Sequence, residues 1–213
     1  MMPPLQLETV SVASLVFVLS LVLTIVLTLS YLKSRRLSKL FWSLGMWAFT
    51  ASALMTVAFA LGTYSEPLAT IYLYIVAILV ELLAIGSMQL MSYGNMKLAY
   101  YAFCAITTAF MFYSLAVSSI PNLIANYALY GSPPALVVYA SSAITIPASA
   151  ILVIIAIKSY WTGKDYWNIS IVAGVLIFAL SGAIYINSFP SMQYVTEFIG
   201  IFLLWLGFFK RAN

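Results

Sequence analysis

Leu32-Lys33-Ser34-Arg35-Arg36-Leu37-Ser38-Lys39-Leu40-Phe41-Trp42 separates two long apolar runs, and its pattern returns once. Lys33-Ser34, Lys39 and Trp42 are matched, at the same spacing, by Lys158-Ser159, Lys164 and Trp167. The second copy also stands between apolar runs. About one membrane span after each copy comes a Ser-x-Pro corner, Ser65-Glu66-Pro67 and then Ser188-Phe189-Pro190. Clusters of Lys and Arg at the ends of apolar runs mark where a chain leaves a membrane. Working outward from these two hinges gives an all-α polytopic membrane protein with seven transmembrane helices.

Composition supports this. Of 213 residues, 64% are hydrophobic and 7% are charged, against about 25% charged in a soluble domain. A spanning helix takes about 20 mostly apolar residues. Seven spans with short loops therefore use nearly all of a single domain, 1–213. A further soluble domain, about 50 residues or more, does not fit. Any activity must sit inside the bundle or on short loops. There is no His, which removes the commonest metal ligand and the usual general base. Cys104 is the only Cys, so no intramolecular disulfide forms. In its apolar run it reads as a small buried hydrophobe. Ser-His and Cys-His catalysis are excluded. The chain is not expected to be an enzyme, and no cofactor or metal is expected. Residues 1–10 carry no positive charge and the next run is too long for a signal sequence, so this segment is expected to be retained.

The spans are expected at 9–32, 40–62, 68–92, 98–118, 135–157, 166–186 and 193–209. Gly94-Asn95 is read as a tight turn, and the segment around Pro121, Gly131, Pro133 and Pro134 as a longer loop. With seven spans, all nine basic residues fall on one side: Lys33, Arg35, Arg36, Lys39, Lys97, Lys158, Lys164, Lys210 and Arg211. Cytoplasmic loops retain Lys and Arg. The N-terminus is therefore expected outside and the C-terminus inside, in a multi-pass protein of the cell membrane. Trp42, Trp161, Trp167 and Trp205 are expected at the inner interface, where amphipathic rings anchor. The basic face orients the protein and touches anionic headgroups. The expected partner is the lipid bilayer, not a nucleic acid; a homo-oligomer or a second membrane protein remains open.

If the echoed hinge is a duplication, 9–92 and 135–209 are half-repeats and 98–118 is a linker helix. Ser20 and Thr24 then align with Thr145 and Ser149. Short basic loops with an interfacial Trp also look alike for topological reasons, and the two explanations stay open. A three-plus-one-plus-three plan makes the halves parallel, an arrangement that transporters use. This plan resembles the SWEET and PQ-loop carriers of sugars and amino acids, and is broadly similar to that of opsins. The chain has no Pro-Gln loop and no Pro in its first helix; Pro147 in the fifth is the counterpart. Its seventh helix has no mid-span Lys to hold retinal, since Lys210 stands at the inner end. The resemblance implies a helix plan and alternating access between halves. It implies no ligand.

Glu81 is the sharpest feature, near the middle of the third span. A charged carboxylate there costs about 2.5–3.5 kcal/mol on an insertion scale. No Lys or Arg lies inside a span to pair with it. It is expected to be protonated, or hydrogen-bonded within the bundle. Tyr74, Met88 and Gln89 share its face, about two turns away. That face should meet other helices or a wet cavity rather than lipid. Glu81 then serves either as a proton- or cation-binding site or as a tie between helices. Partners are sought among Ser141, Ser142, Thr145 and Ser149 on the fifth helix and Thr107 and Thr108 on the fourth. Pro147 removes a backbone hydrogen bond and frees a carbonyl, as breaks at transporter sites do. The expected binding set is Glu81, Tyr74, Gln89, Ser142, Thr145 and Pro147.

Other features are weaker. Glu8, Glu66 and Glu197 make the outer face acidic or neutral. Met88-x-x-Met91 has helical contact spacing, but Met also fills apolar gaps. Gly174, Gly182, Gly200 and Gly207 allow close helix approach. The function expected is a small carrier or channel-like transporter with a mid-membrane carboxylate. The alternative is a non-catalytic membrane subunit or sensor acting through a partner protein.

Orientation can be tested on a Cys104→Ala background. Cysteines at Ser34 and Ser159 are expected to react with a membrane-impermeant maleimide from the cytoplasmic side only. One at Ser65 is expected to react only from the opposite side. Labelling of positions 34 and 159 from different sides would overturn the four crossings placed between them.

Overall fold

The computed structural model describes residues 3–91, 94–125, 128–129 and 131–163, together with 170, 173–174, 177, 196, 198–204 and 206. Five long helices cover most of them: α1 Pro4–Ser34, α2 Leu37–Ala60, α3 Glu66–Met88, α4 Gly94–Val117 and α5 Ala135–Gly163. All five are long and apolar enough to cross a membrane. The pattern of exposure explains why. In α1, Val16, Leu23 and Leu27 are buried, while Leu15, Val18, Val22, Ile25 and Leu29 are exposed. In α4, Ile106, Phe110, Tyr113 and Val117 also face outward. A helix in water would carry polar residues on that stripe. Here both faces are apolar, so the outer one meets hydrocarbon.

The turns follow from local chemistry. Arg35 and Arg36 alone join α1 to α2. Arg35 takes the left-handed conformation, φ 52°, and its N–H donates to the Tyr31 carbonyl at 2.7 Å. Just past α2, Gly62 has φ 88°, and the Thr63 N–H reaches back to the Ala58 carbonyl at 3.0 Å. Glycine adopts that φ without a steric penalty. The Ser65-Glu66-Pro67 corner is the N-terminus of α3. The Leu68 N–H donates to the Ser65 hydroxyl at 3.3 Å, and Pro67 sits where a missing N–H costs nothing. The Glu66 carboxylate lies at the positive end of the helix dipole and accepts from the Ile120 N–H at 3.1 Å. The Tyr64 hydroxyl donates to the Pro121 carbonyl at 2.6 Å. These bonds tie the α2–α3 turn to the segment after α4. That segment contains two antiparallel two-residue strands, β1 Ile124–Ala125 and β2 Ala128–Leu129, with Leu123 fully buried beside them.

Expectation and structure differ at the α3–α4 connection. The third span ends at Met88, and Gly94 and Asn95 are the first residues of α4 rather than a turn. The chain turns earlier. The Leu90 and Met91 N–H groups close on the Ser87 and Met88 carbonyls at 3.0 and 3.1 Å.

α1 packs along α2, α2 along α3, and α3 against α5 and α4. The α2–α3 contact is tight because both helices present glycine. A Cβ on Gly86 would lie 2.4 Å from Trp42 Cδ1 and 2.9 Å from the Ser38 carbonyl. One on Gly45 would lie 2.9 Å from Leu83 Cδ2. Trp42, expected as an interfacial anchor, is packed over Gly86, and its Nε1–H donates to the Ser87 hydroxyl at 3.1 Å. α1 and α2 are joined by hydroxyls: Thr24 donates to the Met46 carbonyl at 3.0 Å or pairs with Thr50 at 2.8 Å, and Thr28 pairs with Ser43 at 2.7 Å. Residues 198–204 are helical, and Ile201 and Leu204 share a core with Val16, Met46, Phe49 and Leu79. Gly174 backs onto the Gly200 carbonyl, 2.9 Å from where its Cβ would be.

Charge separates along the bundle axis. The α1–α2 turn, with Lys33, Arg35, Arg36 and Lys39, lies at the same end as Lys97, whose Nζ donates to the Gln89 carbonyl at 3.3 Å. Lys158 follows Ile155, which packs with Met88 and Tyr100 at this basic end. Glu66 lies at the opposite end, as does Glu8, close to Gln6, whose side chain donates to the Ala60 carbonyl at 3.2 Å. Most of the expected sixth and seventh spans falls outside the described residues, and so do Lys164, Trp167, Ser188-Phe189-Pro190, Glu197, Gly182, Gly207, Lys210 and Arg211. The comparison of half-repeats falls there with them.

Gly86→Ala is expected to destabilise the fold by about 1–3 kcal/mol through overpacking. Gly94→Ala, where a Cβ meets nothing within 4 Å, should change little. Unfolding in mixed micelles separates the two.

Candidate functional site

Glu81 is 4% exposed. Because α3 ends at Met88, it lies about one turn, roughly 6 Å, nearer the basic end than the helix middle. α4 supplies its partners. The Thr108 hydroxyl donates to Oε2 at 2.6 Å, and the Thr107 hydroxyl lies 3.3 Å from Oε1. Thr107 also sits 3.0 Å from the Phe103 carbonyl and 3.2 Å from that of Cys104. It has one hydrogen to give. Given to its own helix, that hydrogen leaves a lone pair facing Oε1, which a protonated carboxyl satisfies. Given to Oε1, it satisfies a carboxylate. The same three side chains thus accommodate the acid and its anion with their polar atoms paired.

The polar face of α4 continues toward the basic end. Cys104 and Tyr100, one turn apart, are buried in one core, and Cys104 also lines the groove beside Glu81. Next to it, the Gln89 side-chain amide donates to the Tyr101 hydroxyl. Tyr100, Cys104, Thr107 and Thr108 are spaced i, i+4, i+7 and i+8, which places them on one helical face. Sequence reasoning named Thr107 and Thr108 as partners for Glu81. It read Cys104 as a small buried hydrophobe, and Cys104 is buried in a core with Met88 and Tyr100. Tyr101 carried no expectation; its i, i+7 spacing to Thr108 was the available signal.

Glu81 also borders a groove of about 610 Å³ between α2, α3 and α4. Phe41 on α2 and Ile78, Leu82 and Ile85 on α3 form apolar walls, and Tyr101 and Thr108 line it on the α4 side. From Gln89 at the basic end to Glu81 is eight residues of α3, about 12 Å. Beyond Ile78 the way is filled. Tyr74 meets Phe112 edge-on, with ring centroids 6.4 Å apart, and Ala77, Met111 and Leu115 belong to a packed core. The groove therefore starts at the basic end and stops within one turn of Glu81.

The structure brings Glu81 and Gln89 together on this groove. Tyr74 is half-buried in the layer that closes it. Ser142, Thr145 and Pro147 are half-buried on α5 and do not line it. α5 turns its neighbouring Ile144 and Ala148 toward the packed cores, and the helix continues through Pro147 to Gly163. Met88 is buried in a core with Tyr100 and Cys104. Comparison of the chain with protein-family models, with curated proteins and with solved structures yields no match in any of the three.

Thr108→Val should cost about 0.6–1.7 kcal/mol, the range for hydrogen bonds between membrane helices. Thr107→Val should cost less, since its hydroxyl has a backbone alternative. In a double-mutant cycle by micellar unfolding, Glu81→Gln is expected to couple more strongly to position 108 than to position 107.

Proposed function

We propose that the protein is a small polytopic membrane carrier in which Glu81 exchanges a proton or a cation. One observation carries this reading: a carboxyl buried among membrane-spanning helices sits at the closed end of a groove that starts at the basic end. Ionisable residues at such depth mark ion and substrate paths by default. The Thr107–Thr108 pair suits that role, because it holds both forms of the acid. Cytoplasmic faces are the basic ones, so the groove is inward-facing. α4 touches α3 less than it touches α5. Movement of α4 would part Tyr74 from Phe112 and carry access past Ile78 to the acidic end. Alternating access then needs one helix to shift against α3 and needs no repeat between halves.

Reconstitution into liposomes tests it. Wild type is expected to dissipate an imposed proton or cation gradient. Glu81→Gln should lose at least tenfold of that flux while folding normally, and Glu81→Asp should retain part of it. Absence of flux under gradients of either sign, together with stable co-purification of a second membrane protein, would replace the carrier by a subunit.

A further inference from the structure

We infer that the α2–α3–α4 groove takes a hydrophobic monocation, an amphiphilic amine or a delocalised organic cation, with its charge on Glu81. The inference rests on the carrier reading above and names its substrate class. Volume sets the scale: about 610 Å³ falls within the range of small-molecule sites, roughly 300–1,000 Å³. The lining sets the chemistry. The groove presents the Glu81 carboxyl and the polar tips of Thr108, Gln89 and Tyr101 on otherwise apolar walls, and no Lys or Arg lines it among the described residues. An anionic ligand would put its charge against the Glu81 carboxyl with no cation among the lining residues to offset it. A small metal ion would need several oxygen ligands to replace its water, and no group of three carboxylate, thiol or imidazole side chains suited to a metal occurs among the described residues. An organic cation needs one counter-charge, apolar contact and aromatic faces. Phe41 of α2 and Tyr101 of α4 both line the groove, and aromatic rings there would add cation–π attraction.

The route of entry agrees. Lys97 holds the Gln89 carbonyl at the rim, and the charged turn Arg35–Arg36 precedes Leu37, which also lines the groove. This positive rim disfavours hydrated cations arriving from water. The groove is open rather than enclosed and runs along membrane-spanning helices. A cation already partitioned into the bilayer can enter from the side, past the lipid-facing edge of α4.

Tetraphenylphosphonium and tetraphenylborate have nearly the same shape and opposite charge. Equilibrium dialysis of each against purified protein in nanodiscs, at one pH, reads the site directly. Saturable binding of the phosphonium is expected, at least tenfold weaker in Glu81→Gln and several-fold weaker in Phe41→Ala, with no matching saturable binding of the borate. Equal binding of the two ions, or phosphonium affinity unchanged in both variants, overturns the inference. Binding without flux in liposomes would remove the carrier and keep the ligand class. Proton flux without phosphonium binding would do the reverse.

Discussion

Hydrocarbon offers no hydrogen-bond partner, so each polar group within a span must be paired inside the protein. The rest of the structure follows from that constraint. Thr24, Thr28, Ser43 and Thr50 pair across α1 and α2, where hydrocarbon offers them no partner. Glu81 turns to Thr107 and Thr108 for the same reason. Apolar burial cannot assemble these helices as it would in water, because lipid is as apolar as their exposed faces. Close packing and interhelical hydrogen bonds have to do it.

The two sides of α3 meet this demand differently. Toward α2, Gly45 and Gly86 let the backbones approach until Trp42 lies on bare main chain. Toward α4, the basic half of α3 presents Glu81, Ile85 and Gln89, and α4 answers with Tyr101, Cys104 and Thr108. These larger side chains line the groove. The tight contact and the cavity are thus two results of residue size on one helix. Nearer the acidic end Ala77 of α3 and Met111 and Leu115 of α4 belong to one packed core. A groove that ends beside a carboxyl follows from this change in size along α3.

Much of the fold was legible in the chain. The apolar runs over α1 to α5 appear as helices, with ends shifted by a few residues. Those shifts have local causes. Ser65 caps α3 ahead of the expected start, and Gly94 is taken into α4 because the chain has already turned at Leu90 and Met91. Trp42 was legible as an aromatic near a basic turn, but not as the residue covering Gly86, because that contact belongs to two helices at once. Glu81 and its α4 partners were legible as polar positions in apolar runs. Ser142 and Thr145 on α5 looked equally suitable by the same criterion, and nothing in spacing along one helix separates them from Thr107 and Thr108.

By itself, then, the sequence determined that the chain enters a membrane repeatedly, that the cations from Lys33 to Lys158 collect at one end, and that an acid lies deep in the third span. Those properties depend on residue type and distance along a single chain. Only the tertiary structure decided that α4 rather than α5 serves the acid, and that a groove from the basic end stops beside it. Those depend on how each helix is rotated about its axis and how near its neighbour can come. Both are decided by pairs such as Gly86 with Trp42 and Glu81 with Thr108, whose members are far apart in the chain.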